Sequence, residues 1–87
     1  MKMIAVFTLG ADDMRIRQML DIAEAWGFGG KYDNSKILLK DAQKEKFNTV
    51  LVVDMQAIED DIRTELKKMG IEIINFRDKA RLEKKVL

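Results

Sequence analysis

Apolar positions along this chain fall into two kinds of run. IAVF at residues 4–7 and VLVV at residues 50–53 contain no polar residue, the pattern of strands covered on both faces of a parallel sheet. IEIINF at residues 71–76 alternates in part and predicts a further strand, and a shorter one is expected at residues 31–33. Elsewhere the apolar positions take a helical period. Ile16, Met19, Leu20 and Ala23 follow i, i+3, i+4, i+7, with Asp12 or Asp13 as the N-cap and Gly27 as a stop. Ile37, Leu38 and Ala42 predict a second helix whose wet side carries Lys36, Lys40 and Lys44. Ile58, Ile62, Leu66 and Met69 predict a third, with Glu59, Asp60 and Asp61 in a first turn where the helix dipole favours acids, and Gly70 at its end. A last short helix is expected over residues 77–87.

Strands and helices therefore alternate with short connections. Right-handed crossovers turn that order into a three-layer α/β sandwich. The expected sheet is parallel and four-stranded, in the flavodoxin-like order 2-1-3-4, with its switch point between the first and third strands. No linker, repeat or low-complexity segment divides residues 1–87, so a single domain is expected. Trp26 and Phe28, on either side of Gly27, are expected in core and helix-end packing rather than in base stacking.

Composition narrows the chemistry. The chain has 87 residues, 47% of them hydrophobic and 36% charged, with a formal net charge of +1. There is no global field to attract nucleic acid or acidic lipid. No run approaches a membrane span, and the apolar part of MKMIAVF is too short for a secretory leader. A cytoplasmic protein is the expectation. With no histidine and no cysteine, imidazole bases, imidazole ligands and thiolate chemistry are excluded. Hydroxyls are few: Ser35, Thr8, Thr49, Thr64 and Tyr32.

The loop in TLGADDMRIRQML follows the first strand, where open α/β folds place their sites. Phosphate binding is disfavoured there, because Asp12 and Asp13 open the helix and one glycine makes neither a GxGxxG nor a Walker pattern. A metal is the alternative: Asp12, Asp13 and Asp54 would meet at the carboxyl edge of the sheet, and such oxygen ligands suit magnesium. DDMRIRQMLDIAEAWGF and EKFNTVLVVDMQ resemble response-regulator receiver domains in this respect. Receiver acids follow the first strand directly, however, whereas TLGA separates Phe7 from Asp12, and no fifth strand with its lysine is found. Capping roles for these acids are the plainer reading.

A second resemblance fits the spacing better. VFTLGADD, Gln18 and AWGF, followed by LLKDAQKEKFNTVLVVDMQAIEDDIRTELKKMGIEIINF, resemble the N-terminal catalytic domain of serine recombinases, the resolvase/invertase family, over residues 1 to about 78. In that family a YxRVST strand leads to a helix containing glutamine, and a later strand leads to DRLGR. The resemblance implies a resolvase-like module of a phage or mobile element. It also implies that the catalytic positions are changed. The family's nucleophilic serine falls on Gly10, and the arginine two residues earlier falls on Thr8. DRLGR falls on Gln56, Ala57, Ile58, Glu59 and Asp60, and the arginine-bearing mobile loop is shortened to Asn34, Ser35 and Lys36. Phosphodiester attack needs an activated hydroxyl and cations on the phosphoryl oxygens. No catalytic residue and no cofactor is expected; Ser35 is no substitute nucleophile.

Binding is then the expected mode of action, with a protein partner or a second copy of the chain. Arg77, Lys79, Arg81, Lys84 and Lys85 face only Asp78 and Glu83 in their segment and are the candidate nucleic-acid contacts. Cations near a helix C-terminus also complement its dipole, which is the favoured role. The fourth strand has no later strand to cover its edge, so either the helix at residues 77–87 folds over it or two copies meet there; a homodimer is the favoured expectation.

Overall fold

The computed structural model describes residues 2–78. Its strands are β1 (Ile4–Phe7), β2 (Phe28–Tyr32), β3 (Thr49–Val52) and β4 (Glu72–Asn75); its helices are α1 (Asp13–Trp26), α2 (Ser35–Gln43) and α3 (Asp60–Lys68). The strands form one sheet in the order β2-β1-β3-β4, parallel at every pairing. This is the flavodoxin-like order expected from the sequence. Among the described residues no helix is long and apolar enough to cross a membrane.

Alternation along the strands builds two cores. Ala5, Phe7, Val50, Val52 and Ile73 point to one face, where they meet Leu38 and Ala42 of α2 and Ile62 and Leu66 of α3. Ile4, Val6, Leu51 and Ile74 point to the other, under Met19 and Ala23 of α1. All four residues of β1 and of β3 are buried, which explains why β1 and most of β3 read as unbroken apolar runs.

The boundaries differ from expectation at several places. β3 begins at Thr49 and ends at Val52, and β4 runs only from Glu72 to Asn75, because Phe76 opens a 3-10 turn, Phe76–Asp78. Glu59 stands at the N-cap position of α3 without a side-chain capping bond and Met69 closes the helix, so Glu59 and Ile58 precede its first turn. Ile37, placed on the core stripe of α2, is exposed, while Leu38 and Ala42 are buried. Arg77 and Asp78 belong to the 3-10 turn; the rest of the expected last helix lies outside the described residues.

The largest correction concerns β2, expected at residues 31–33 and found at Phe28–Tyr32. Its sequence FGGKY lacks a β-branched residue. Between Ile4↔Phe28 and Val6↔Lys31 the register slips, so β2 carries an extra residue opposite β1. Gly30, at φ +118°, supplies the positive φ of this bulge. β2 is an edge strand, and Phe28 is 45% exposed rather than packed in the core. Trp26 does pack against the α1-side core, with the Lys2 ammonium 5.7 Å from the centre of its ring.

Tyr32 and Asp41 tie β2 to α2. The phenol donates to Asp41 Oδ2 at 2.6 Å, Lys46 Nζ lies 3.7 Å from the same oxygen, and the Tyr32 ring meets that of Phe47 at 5.6 Å between centroids. Burial, reinforced by the hydrogen bond and the negative charge of Asp41, pushes the Tyr32 phenol from 10.0 up to about 12. The same hydrogen bond, with help from Lys46 and Lys44, lowers the Asp41 carboxyl. The signs are opposite. Stability from Tyr32 is present below pH 10 and is lost as pH rises toward about 12. That from Asp41 is present above the ordinary carboxylate range and is lost in acid. Tyr32 is the sole tyrosine, so phenolate absorbance reads it directly. An ionisation midpoint near 12 is expected in the folded protein, falling toward 10 in denaturant; a midpoint near 10 under native conditions would remove the buried bond.

Candidate functional site: the carboxyl edge of the sheet

The loop after β1 is a turn closed on itself and on β2. Thr8 donates its N–H to the Tyr32 carbonyl at 2.8 Å and its hydroxyl to the same oxygen at 3.2 Å, and Ala11 N–H donates to Thr8 O at 3.0 Å. Gly10, with φ +86°, passes beside Asp54: a Cβ placed there would lie 3.8 Å from the Asp54 Cβ. The sheet thus brings the loops after β1 and β3 together at the switch point, as the topology requires.

The acids of these loops have local partners. Asp12 is the N-cap of α1, accepting from Arg15 N–H at 2.8 Å and Arg15 Nη1 at 3.0 Å. Asp13 is exposed in the first turn of α1. Asp54 caps the 3-10 turn Met55–Ala57, accepting from Gln56 N–H at 3.0 Å. Among the described residues no group of three or more His, Cys, Asp or Glu is placed to hold a metal ion. Nor does any buried side-chain nitrogen or oxygen lack a hydrogen-bond partner there.

Asn34 caps α2, accepting from the N–H groups of Lys36 and Ile37 at 2.9 and 3.2 Å. Ser35 is buried, and its hydroxyl donates to Glu59 Oε1 at 3.3 Å. That pair lies in a shallow cleft of about 280 Å³ with Leu9, Lys36 and Ala57 in its walls. Leu9 is 49% exposed and Ile37 53%, so the α2 side of this edge presents apolar surface.

Across the sheet, on the α1 side, is a second cleft of about 310 Å³ lined by Arg15, Val53, Phe76 and Arg77. Sequence reasoning named Arg77 only as part of a basic segment and did not single out Arg15. The two lie 62 positions apart, and no local spacing connects them. Lys79, Arg81, Lys84 and Lys85 lie outside the described residues.

A larger concavity among the described residues, about 600 Å³, is at the opposite end of the sheet between the α2–β3 and α3–β4 connections, with Met3, Phe47, Met69 and Ile71 among its lining residues. The carboxamide oxygen of Asn48 at its rim accepts from Met3 N–H at 3.0 Å and from the Thr49 hydroxyl at 3.2 Å. The carboxyl edge carries the more varied chemistry.

Compared with known proteins, the chain matches no protein family, no curated protein and no solved structure.

Proposed function

We propose that this domain is a non-catalytic, resolvase-like binding or regulatory module of a phage or mobile element, acting as a homodimer. The observation that carries the reading is the arrangement at the carboxyl edge. Thr8, at the position of the family's first arginine, is bonded to the Tyr32 carbonyl. Gly10, at the position of the nucleophile, forms a turn, and the stretch aligned with DRLGR supplies a 3-10 turn and Glu59 at the N-cap position of α3. These residues build loops and offer neither a nucleophile nor cations for a phosphoryl group. Exposed Leu9 and Ile37 on the same edge suit contact with another surface.

Self-association is supported by the sheet. β4 pairs only with β3 among the described strands, and a last strand of a sheet suits pairing with a second copy. Light scattering coupled to size exclusion, over a dilution series in the micromolar range, should report a dimer that dissociates at the lowest concentrations. A monomer throughout would overturn the dimer. Supercoiled DNA incubated with the protein, with and without magnesium, should stay intact. Nicking abolished by Ser35→Ala or Thr8→Ala would overturn the non-catalytic reading.

A further inference from the structure

We propose that the cleft between α1 and the end of β4 binds a 5′-nucleotide, its phosphate held between Arg15 and Arg77 and its base on Val53 and Phe76. Among the described residues the cleft is lined by two guanidinium groups and two apolar side chains, with the carboxylate of Asp12 beside it, bonded to Arg15. Guanidinium forks match a phosphate dianion in geometry and charge. An apolar floor has no use for a bare anion but suits a flat ring. The volume, about 310 Å³, lies at the lower end of the range for small-ligand clefts.

The two arginines are differently prepared. Arg15 is paired with Asp12 through Nη1 at 3.0 Å, an exposed contact that leaves its other N–H groups without a partner among the described residues. Arg77 is exposed, and its side chain makes no hydrogen bond or ion pair among the described residues. The backbone beneath it is nevertheless braced. Arg77 N–H donates to Asn75 Oδ1 at 2.9 Å, and the same carboxamide donates through Nδ2 to Val53 O at 3.3 Å. One side chain thus fixes the floor at Val53 to the wall at Arg77, limiting the ordering that binding would require. The position is at the carboxyl end of the sheet, the end at which open α/β sheets take ligands, beside β3 and β4 and next to the switch point between β1 and β3.

The ligand could be a free mononucleotide or the 5′-terminal nucleotide of a strand; the chemistry recognised is the same. The proposal rests on the reading of the domain as a binding module and names what it binds. Amide-resolved NMR titrations of the full chain with AMP, adenosine, inorganic phosphate, and a short oligothymidylate with and without a 5′-phosphate distinguish the sources. AMP should move the amides of Arg15, Val53, Phe76 and Arg77 saturably, at least tenfold more tightly than adenosine or phosphate alone. Arg77→Gln, at an exposed position, should weaken AMP at least tenfold, and Arg15→Gln comparably, with amide dispersion elsewhere unchanged.

Tighter binding of the 5′-phosphorylated strand than of AMP, at the same amides and lost without the phosphate, supports the site and identifies the strand end. Tighter AMP supports it and identifies the free nucleotide. Absence of saturable shifts, equal affinity for bare phosphate, or unchanged affinity in Arg77→Gln overturns the proposal. A dimer that binds none of these ligands overturns the site alone, whereas a monomer that binds AMP overturns the self-association alone.

Discussion

Val52→Asp will yield no folded protein. Val52 is fully buried in β3, paired with Phe7 on one side and Asn75 on the other, within the core beneath α2 and α3. A carboxylate there finds no cation: the core around it is built from Ala5, Phe7, Leu38, Ile58, Ile62 and Leu66. An unpaired buried charge costs several kcal/mol even after relaxation, and protonation replaces that cost with an unsatisfied polar group. Small domains have a total stability of only about 5–15 kcal/mol, and size places this one toward the low end. The expected result is loss of the cooperative thermal transition in circular dichroism and collapse of amide dispersion in NMR. Met14→Asp is the control, since Met14 is 71% exposed in the first turn of α1; it should melt close to the parent. A Val52→Asp protein melting like the parent would mean that β3 is not covered on its α2–α3 face.

That experiment tests what was most legible in the sequence. β1 and most of β3 could be read as strands because burial on both faces favours apolar residues at successive positions, which leaves an unbroken run; Thr49, the buried polar start of β3, lay outside that pattern. The ends of α1 were legible for a different reason, with Asp12 or Asp13 as the cap and Gly27 as the stop: the local groups that begin and end a helix are satisfied by neighbours in the chain. β2 was not legible. It lies at the sheet edge, its glycines serve a bulge, and its one large apolar side chain at the start, Phe28, is exposed. None of those features leaves an apolar pattern.

The carboxyl edge divides the same way. The meeting of the loops after β1 and β3 follows from strand order, so the nearness of Gly10 to Asp54 was foreseeable. What each acid does there was less so. Asp12 and Asp54 had capping and metal-binding readings side by side, and the structure supplies the hydrogen bonds that the sequence could not. The cleft of Arg15, Val53, Phe76 and Arg77 had no sequence signal. Its residues come from three separate segments joined only by the sheet, and an arginine three residues after a helix cap reads simply as an ion-pair partner for that cap.

Gly27→Ala will show how tightly the end of α1 is fitted to the start of β1. Gly27 closes α1 by donating its N–H to Ala23 O at 2.7 Å, and its carbonyl accepts from Ile4 N–H at 2.8 Å, beginning the β1–β2 ladder. A Cβ on Gly27 would lie 2.6 Å from the Lys2 carbonyl oxygen and 2.8 Å from Met3 Sδ. The thioether can swing away. The carbonyl is restrained, because it belongs to the peptide whose N–H, that of Met3, is held by Asn48, and the φ of +155° at Gly27 is itself unfavourable for a residue with a Cβ. Relief therefore requires the strand entering β1 to move off α1, stretching the Ile4–Gly27 bond. Overpacking of this kind costs about 2 kcal/mol, a fall in Tm of roughly 8–16 °C for a domain of this size. A double-mutant cycle separates the two contacts. In a Met3→Ala background most of the Gly27→Ala cost should persist, since the carbonyl overlap remains. Loss of that cost with Met3 removed would assign the strain to the thioether, and an unchanged Tm in the single variant would show that the Lys2 carbonyl does not approach Gly27 so closely.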